Sequence, residues 1–268
     1  MNTVRIDRDA RGVARLTLAR AEKRNALSSE MIAELHEAAE NLRSDTSVRV
    51  VVLTAEGPVF CAGGDLGWMR DQMAADRETR RREARALAMM LKALNDLPMP
   101  LVGRVHGPAY GGGVGLMSVC DSVVAVEDAT FGLTETRLGL IPATIGPYVV
   151  QRMGEPRARR VFFSSRIFDA AEARELGLIS RIVAASDLDA AVEAEVAPYL
   201  SCAPGAVAEA KALVARLGNT VDEAAIEASI EALVVRWESG EAEEGTRAFF
   251  EKRPPNWVKP ASPRPSGR

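Results

Sequence analysis

The sequence predicts an α/β fold, and three observations carry that reading. Strands and helices alternate through the first half of the chain, with long helical connections. Two of the strand candidates, Val48–Leu53 and Leu101–Val105, are nearly continuous apolar runs, as strands covered on both faces are. Each is followed by a glycine-rich turn, Cys61-Ala62-Gly63-Gly64-Asp65-Leu66 and Gly107-Pro108-Ala109-Tyr110-Gly111-Gly112-Gly113.

Val4–Ile6 and Val13–Leu18 read as short strands around a turn at Asp9–Gly12. Ser28 or Ser29 can cap a helix on which Leu27, Met31, Leu35, Ala38 and Leu42 share one side. Asp76 to Asn95 is a charged helix with Leu87, Leu91 and Leu94 inward, stopped by Pro98 and Pro100. Its run Arg77–Arg85 reads as a solvated face. A short helix follows at Gly113–Val119, and a strand at Ser122–Val126. From Ile145 onward the pattern is mostly helical. Pro204–Leu217, Val221–Trp237 (with Ile226, Ile230, Leu233 and Trp237 on one side) and Glu241–Lys252 close the ordered chain. The Pro- and Ser-rich end, 258–268, reads as a disordered tail.

Composition narrows the function classes. The 268 residues are 47% hydrophobic, enough for a sizeable core, and the net charge of −3 offers no concentrated positive surface for nucleic acid or an anionic membrane. The three cysteines, Cys61, Cys120 and Cys202, have no CxxC spacing, which argues against a disulfide framework or structural zinc and fits a reducing cytoplasm. No apolar run reaches membrane-spanning length, and the polar start, Met1 to Asp9, is not a secretory signal.

The glycine turns carry the chemistry. Without a Cβ, Gly64 and Gly112 can each aim a bare N–H at one carbonyl oxygen, and Gly112 also opens a helix whose dipole favours negative charge. Each glycine could also serve only a tight turn. The GGG string lacks the spacing of a dinucleotide fingerprint. Glu135 lies in an apolar, glycine-flanked stretch, where burial raises a carboxyl pKa and suits it to proton transfer. A helix-end carboxylate or a partner for Arg137 is its other reading. His36 reads as solvated, His106 as locally hydrogen-bonded and Cys61 as a buried thiol. No histidine sits in a metal-ligand or Ser-His-Asp pattern.

Taken together, Glu22–Leu27, Phe60–Leu66, Gly107–Asp121, Phe131–Pro142 and Phe249–Arg253 resemble the crotonase superfamily of enoyl-CoA hydratases and isomerases, over nearly all of residues 3 to 257. The resemblance implies a ClpP-like spiral of ββα units over 1–200 and a C-terminal helical trimerisation region over 201–257, assembled as a homotrimer or a dimer of trimers. It implies that the Gly64 and Gly112 amides bind a thioester oxygen and that Glu135 moves protons. It assigns the coenzyme A site to Arg24, Ala26, Ala62, Asp65 and Leu66, with Phe249 and Lys252 reaching the coenzyme A of a neighbouring subunit. Trp68, Met69, Tyr110, Gly115 and Tyr148 are expected as walls of the acyl pocket. No metal or redox cofactor is needed, coenzyme A being part of the substrate.

One departure matters. Ordinary hydratases of the family carry a first glutamate where this chain has Gly115. Three readings follow. Glu135 alone performs a concerted syn hydration, as in the bacterial 3-methylglutaconyl-CoA hydratases and related hydratases of acyclic-terpene breakdown, which this chain resembles in detail. Those relatives act on substrates with a distal carboxylate, for which Arg137 is a candidate partner. Alternatively, Glu135 shuttles a proton between C2 and C4 as a Δ3,Δ2-enoyl-CoA isomerase. The third reading is a non-catalytic acyl-CoA-binding scaffold.

Overall fold

The computed structural model describes residues 1–218 and 221–258. The tail expected at 258–268 therefore lies, from residue 259 on, outside the described residues. A six-stranded sheet runs β1 (Val4–Arg8), β2 (Val13–Leu18), β3 (Val50–Ala55), β4 (Leu101–Val105), β6 (Ser122–Val126) and β9 (Arg181–Val183), in that spatial order. Only the β1–β2 hairpin is antiparallel; the other neighbours pair parallel. A second, three-stranded sheet holds β5 (Ala109–Tyr110), β7 (Thr130–Gly132) and β8 (Ile167–Asp169).

Helices α1 (Ser29–Ser44), α2 (Leu66–Ala74), α3 (Arg77–Asn95), α4 (Gly112–Ser118), α5 (Gly146–Met153), α6 (Glu155–Ala158), α7 (Ala170–Glu175) and α8 (Leu188–Leu200) surround the sheets. Their inward residues and the strands form one large core that includes Leu35, Leu53, Leu91, Val102, Val124 and Val149. Ser28 caps α1, its side chain accepting from the Met31 N–H, and Asp76 caps α3 by accepting from Thr79 N–H at 2.8 Å. No helix among the described residues is long and apolar enough to cross a membrane.

The last helices, α9 (Pro204–Leu217), α10 (Glu223–Trp237) and α11 (Gly240–Phe250), behave differently from one another. α9 buries none of its side chains, and Leu213, Val214 and Leu217 stay exposed. α10 docks on α3 through a second, smaller apolar cluster of Ala84, Ala88, Ile226, Ile230, Leu233 and Trp237. Beside that seam the arginines of α3 stay about half exposed, as a solvated face does, but they also face a row of glutamates on α10. Arg77, Arg81 and Arg85 pair across to Glu223, Glu227, Glu231 and Glu238 in antiparallel register, with Arg77–Glu238 at 2.6 Å and Arg81–Glu231 at 3.0 Å.

Other expectations shift locally. The strand expected at Val48 begins at Val50, because Val48 N–H turns back to Asp45 O and Arg49 N–H is taken by Gly12 O at 2.7 Å. α2 was not expected; Asp65 starts it by accepting from both Gly67 and Trp68 N–H. The short strands β8 and β9 interrupt the largely helical second half.

Candidate active site

The two glycine turns meet each other at the C-terminal ends of neighbouring parallel strands. Tyr110 N–H donates to Cys61 O at 2.9 Å and Phe60 N–H to Pro108 O at 3.0 Å, so the loops after β3 and β4 are laced by backbone bonds. A third segment joins them. Leu27 N–H donates to Gly63 O at 2.7 Å, and Leu27 O accepts from Asp65 N–H at 3.0 Å. These bonds clamp the peptides on either side of Gly64 and leave its own N–H without an acceptor among the described residues, on an exposed residue. Gly112 is the first residue of α4, so its N–H has no intrahelical acceptor. Its neighbour Gly111 is held by a 2.9 Å bond from its N–H to Gly132 O.

Both glycines border a cavity of about 390 Å3 with Glu135 in its wall. Glu135 opens a 3-10 turn, Glu135–Leu138, directly after β7, the strand paired with β5 of the second glycine loop. Its Oε2 is sealed from solvent and has no hydrogen-bond partner among the described residues. Burial accordingly pushes its pKa up to about 7. Gly111 makes this approach possible. Its φ is +47°, and a Cβ there would stand 2.9 Å from Glu135 Oε1. Thus the carboxyl group rests on the peptide next to a free amide donor.

Of the residues expected as acyl-pocket walls, Trp68, Met69 and Tyr110 border the cavity, and the Tyr110 hydroxyl is fixed by Thr130 Oγ1 at 2.8 Å. Two walls were assigned wrongly. Tyr148 does not border the cavity. It lies on the inward side of α5 in the main core, 1% exposed, with no partner for its hydroxyl. Gly115 lies behind the wall rather than in it. A Cβ there would stand 2.5 Å from Cγ2 of Ile145, and it is Ile145 that borders the cavity. Ile145 therefore occupies the space into which a longer residue at 115 would project.

The expected coenzyme A residues are more scattered. Ala62 and Leu66 reach the cavity; Arg24, Ala26 and Asp65 do not, although Arg24 O accepts from Ala62 N–H at 3.0 Å. The Asp65 carboxylate is committed to capping α2 and to Arg20 at 2.7 Å, and these donors hold its pKa below the usual range despite partial burial. Lys252 is exposed just past α11, away from the cavity, whereas Phe249 borders the cavity of its own chain. Arg137 also borders it, exposed, donating to Ser165 O at 3.3 Å; among the described residues it has no carboxylate partner. Leu138, Ile141, Leu233 and Trp237, which the motifs did not single out, complete the apolar end. The helical period that put Leu233 and Trp237 on one side of α10 was the available signal. Cys61 is buried, its thiol pushed up to about 12. His106 bonds Gly57 O at 2.7 Å, a partner distant in sequence rather than local.

Comparison with known proteins is consistent across the chain's length. Residues 8–260 match the family described as enoyl-CoA hydratase/isomerase. The structure of Pseudomonas aeruginosa AtuE is 38% identical, with a TM-score of 0.77 over 96% of this chain and 100% of that one. An enoyl-CoA hydratase from Mycobacterium avium is 33% identical, with a TM-score of 0.83 over 96% and 100% of the two chains. Human mitochondrial methylglutaconyl-CoA hydratase is 33% identical over 261 residues, 94% of this chain and 75% of its own.

Proposed function

This chain belongs to the enoyl-CoA hydratase/isomerase family, and on that premise we propose that it adds water to an α,β-unsaturated acyl-CoA, or removes it, with Glu135 as the sole proton-transfer group. One observation carries the reading: a carboxyl group with one sealed oxygen that has no partner among the described residues borders a cavity with two glycines whose amides are unclaimed there, while Ile145 fills the space beside Gly115. The thioester oxygen accepts from Gly64 and Gly112 N–H, which draws charge out of the C2=C3 bond. Water adds its oxygen to C3 and gives a proton to one oxygen of Glu135. The other oxygen gives its proton to C2 on the same face. The enolate charge rests meanwhile on the thioester oxygen, and Glu135 ends with one proton, as it began. Binding of the coenzyme A portion, which the segments around Arg24, Ala26, Ala62, Asp65 and Leu66 would supply with Phe249 and Lys252, positions the reacting atoms.

The acyl group is branched or carboxylated in this reading, of the 3-methylglutaconyl type. The support is Arg137, a cation on an otherwise largely apolar cavity without a carboxylate partner among the described residues. Arg137→Ala should then impair turnover of 3-methylglutaconyl-CoA more than of crotonyl-CoA; equal losses would remove the assignment. Assembly as a trimer, or a dimer of trimers, through the C-terminal helices fits the apolar side chains that α9 leaves exposed.

Double-bond isomerisation is the second reading, favoured because Glu135 is the one carboxylate among the described residues that border the cavity. Incubation with 3-methylglutaconyl-CoA, crotonyl-CoA and 3-hexenoyl-CoA, with product identification, separates the two. Hydration, strongest with the carboxylated substrate, is the expected result. Double-bond migration without water addition would make the enzyme an isomerase. Tight binding without turnover of any of the three would favour a scaffold.

A further inference from the structure

A carboxylate outside the reacting centre ties three helices around the cavity. Glu83, on α3, keeps about a fifth of its side-chain surface exposed. Its Oε2 accepts from Ser29 Oγ at 2.8 Å, on the first residue of α1, and from the Trp68 indole N–H at 3.3 Å, on α2. Each helix so joined contributes a cavity wall close to its junction: Ile32 three residues after Ser29, Leu87 four residues after Glu83, and Trp68 itself with Met69. Residues four apart on a helix share a face, so Leu87 and Glu83 point the same way.

The indole spans the gap between this junction and the oxyanion glycine. Its N–H edge is held by Glu83. Its opposite edge, Cε3 and Cζ3, lies 3.8 Å from where a Cβ would stand on Gly64. A methyl group on Gly64 would just fit against the ring, so the indole stands about one methyl group from the glycine. A pivot at the tethered edge would therefore move the ring over or away from the Gly64 donor. Trp68 is half-buried and Gly64 exposed, and Met69 Cγ lies at the same 3.8 Å from that position, so the ring and its helix neighbour flank the glycine together.

We propose that Glu83 is a positioning residue: through its bond to the Trp68 indole it holds the ring against Gly64 and sets the width of the acyl cavity beside the thioester. The proposal rests on the acyl-CoA reading above. Its bond counts for more than a surface contact because the acceptor is a charged oxygen shared by two donors. Without it the indole N–H is left to water and the ring loses its register on the glycine.

The test is a double-mutant cycle between Glu83 and Trp68, read by binding of hexanoyl-CoA, a saturated thioester that cannot be hydrated. Glu83→Ala should weaken binding about three- to tenfold and shift Trp68 emission to the red, the Trp68 component being the difference from Trp68→Phe. Glu83→Gln keeps an accepting oxygen and should bind within about twofold of wild type. Adding Glu83→Ala to Trp68→Phe should weaken binding no further. Should Glu83→Ala not fold, Glu83→Met takes its place in the same cycle. An equal loss in the two backgrounds, or an unmoved emission with unmoved affinity, would overturn the proposal. The emission does not depend on turnover, so a wild-type enzyme that hydrates nothing would contradict the hydratase reading and still leave the tether decided.

Discussion

At the scale of single residues, the account turns on Glu135 and the two residues that shape its surroundings. A carboxyl group that gives one proton and takes another in the same step must start protonated. With its pKa pushed up to about 7 by burial, hydration should be level at acid pH, and its kcat/KM should fall roughly tenfold per pH unit above about 7. An isomerase base must start ionised, so its profile would rise through the same range. A pH series on whichever substrate turns over distinguishes them. The sign for stability is separate. A carboxyl group with a folded pKa above its unfolded one binds its proton more tightly when folded. The resulting stabilisation is complete below the unfolded value near 4.5 and is lost as pH rises through about 7. Glu135→Gln, which never ionises, should therefore match wild type near pH 4.5 and exceed it at pH 8 by on the order of 3 kcal/mol. Denaturant melts at the two pH values would show it; an equal difference at both would mean that Glu135 is not titrating in the fold. Gly115→Ala should cost about 1–3 kcal/mol by driving a methyl group into Ile145, with the combination Gly115→Ala, Ile145→Val recovering part of the loss.

At the scale of elements, the docking of α10 on α3 fixes the far end of the cavity, because Leu233 and Trp237 belong to α10. Six ion pairs flank the apolar seam. Their side chains are substantially exposed, so each is worth only about 0–1 kcal/mol and salt should screen it. Raising salt from about 0.05 to about 1 M should thus accelerate hydrogen exchange in Glu223–Trp237 relative to α1; exchange that ignores salt would assign the docking to the apolar seam alone. The ladder also shows how far elements were legible. Arginines at 77, 81 and 85 and glutamates at 223, 227 and 231 each repeat every four residues, so each half announces a charged helix face. Only the antiparallel pairing of two helices far apart in sequence converts both faces into one interface, and no local pattern contains that. α2 was missed for the opposite reason: its mixed stretch has little periodicity, and the start signal is the Asp65 cap. The long parallel strands were plain because burial on both faces leaves no polar alternation to obscure them.

At the scale of the whole molecule, the topology does what the motifs could not announce. Parallel β3 and β4 bring their following loops side by side, and the β5–β7 pairing delivers Glu135 beside them. The glycine turns and the glutamate were legible as chemistry in the sequence, and their convergence on one cavity follows from that strand order. Tyr148 and Gly115 were misassigned because proximity to a motif along the chain says nothing of which side of a helix faces the cavity; Tyr148 faces the core, and Gly115 faces Ile145. Ile145 accounts in spatial terms for the lack of a glutamate at 115: a branched apolar side chain occupies that side of the cavity, and in the proposed reaction one carboxyl group serves both proton transfers. The most direct test of that claim is turnover by Glu135→Gln, measured with acyl-CoA affinity on the same preparation. The account predicts that hydration falls by at least about 100-fold while the affinity changes by less than about threefold. Retention of more than a few per cent of wild-type turnover, with binding intact, would contradict it.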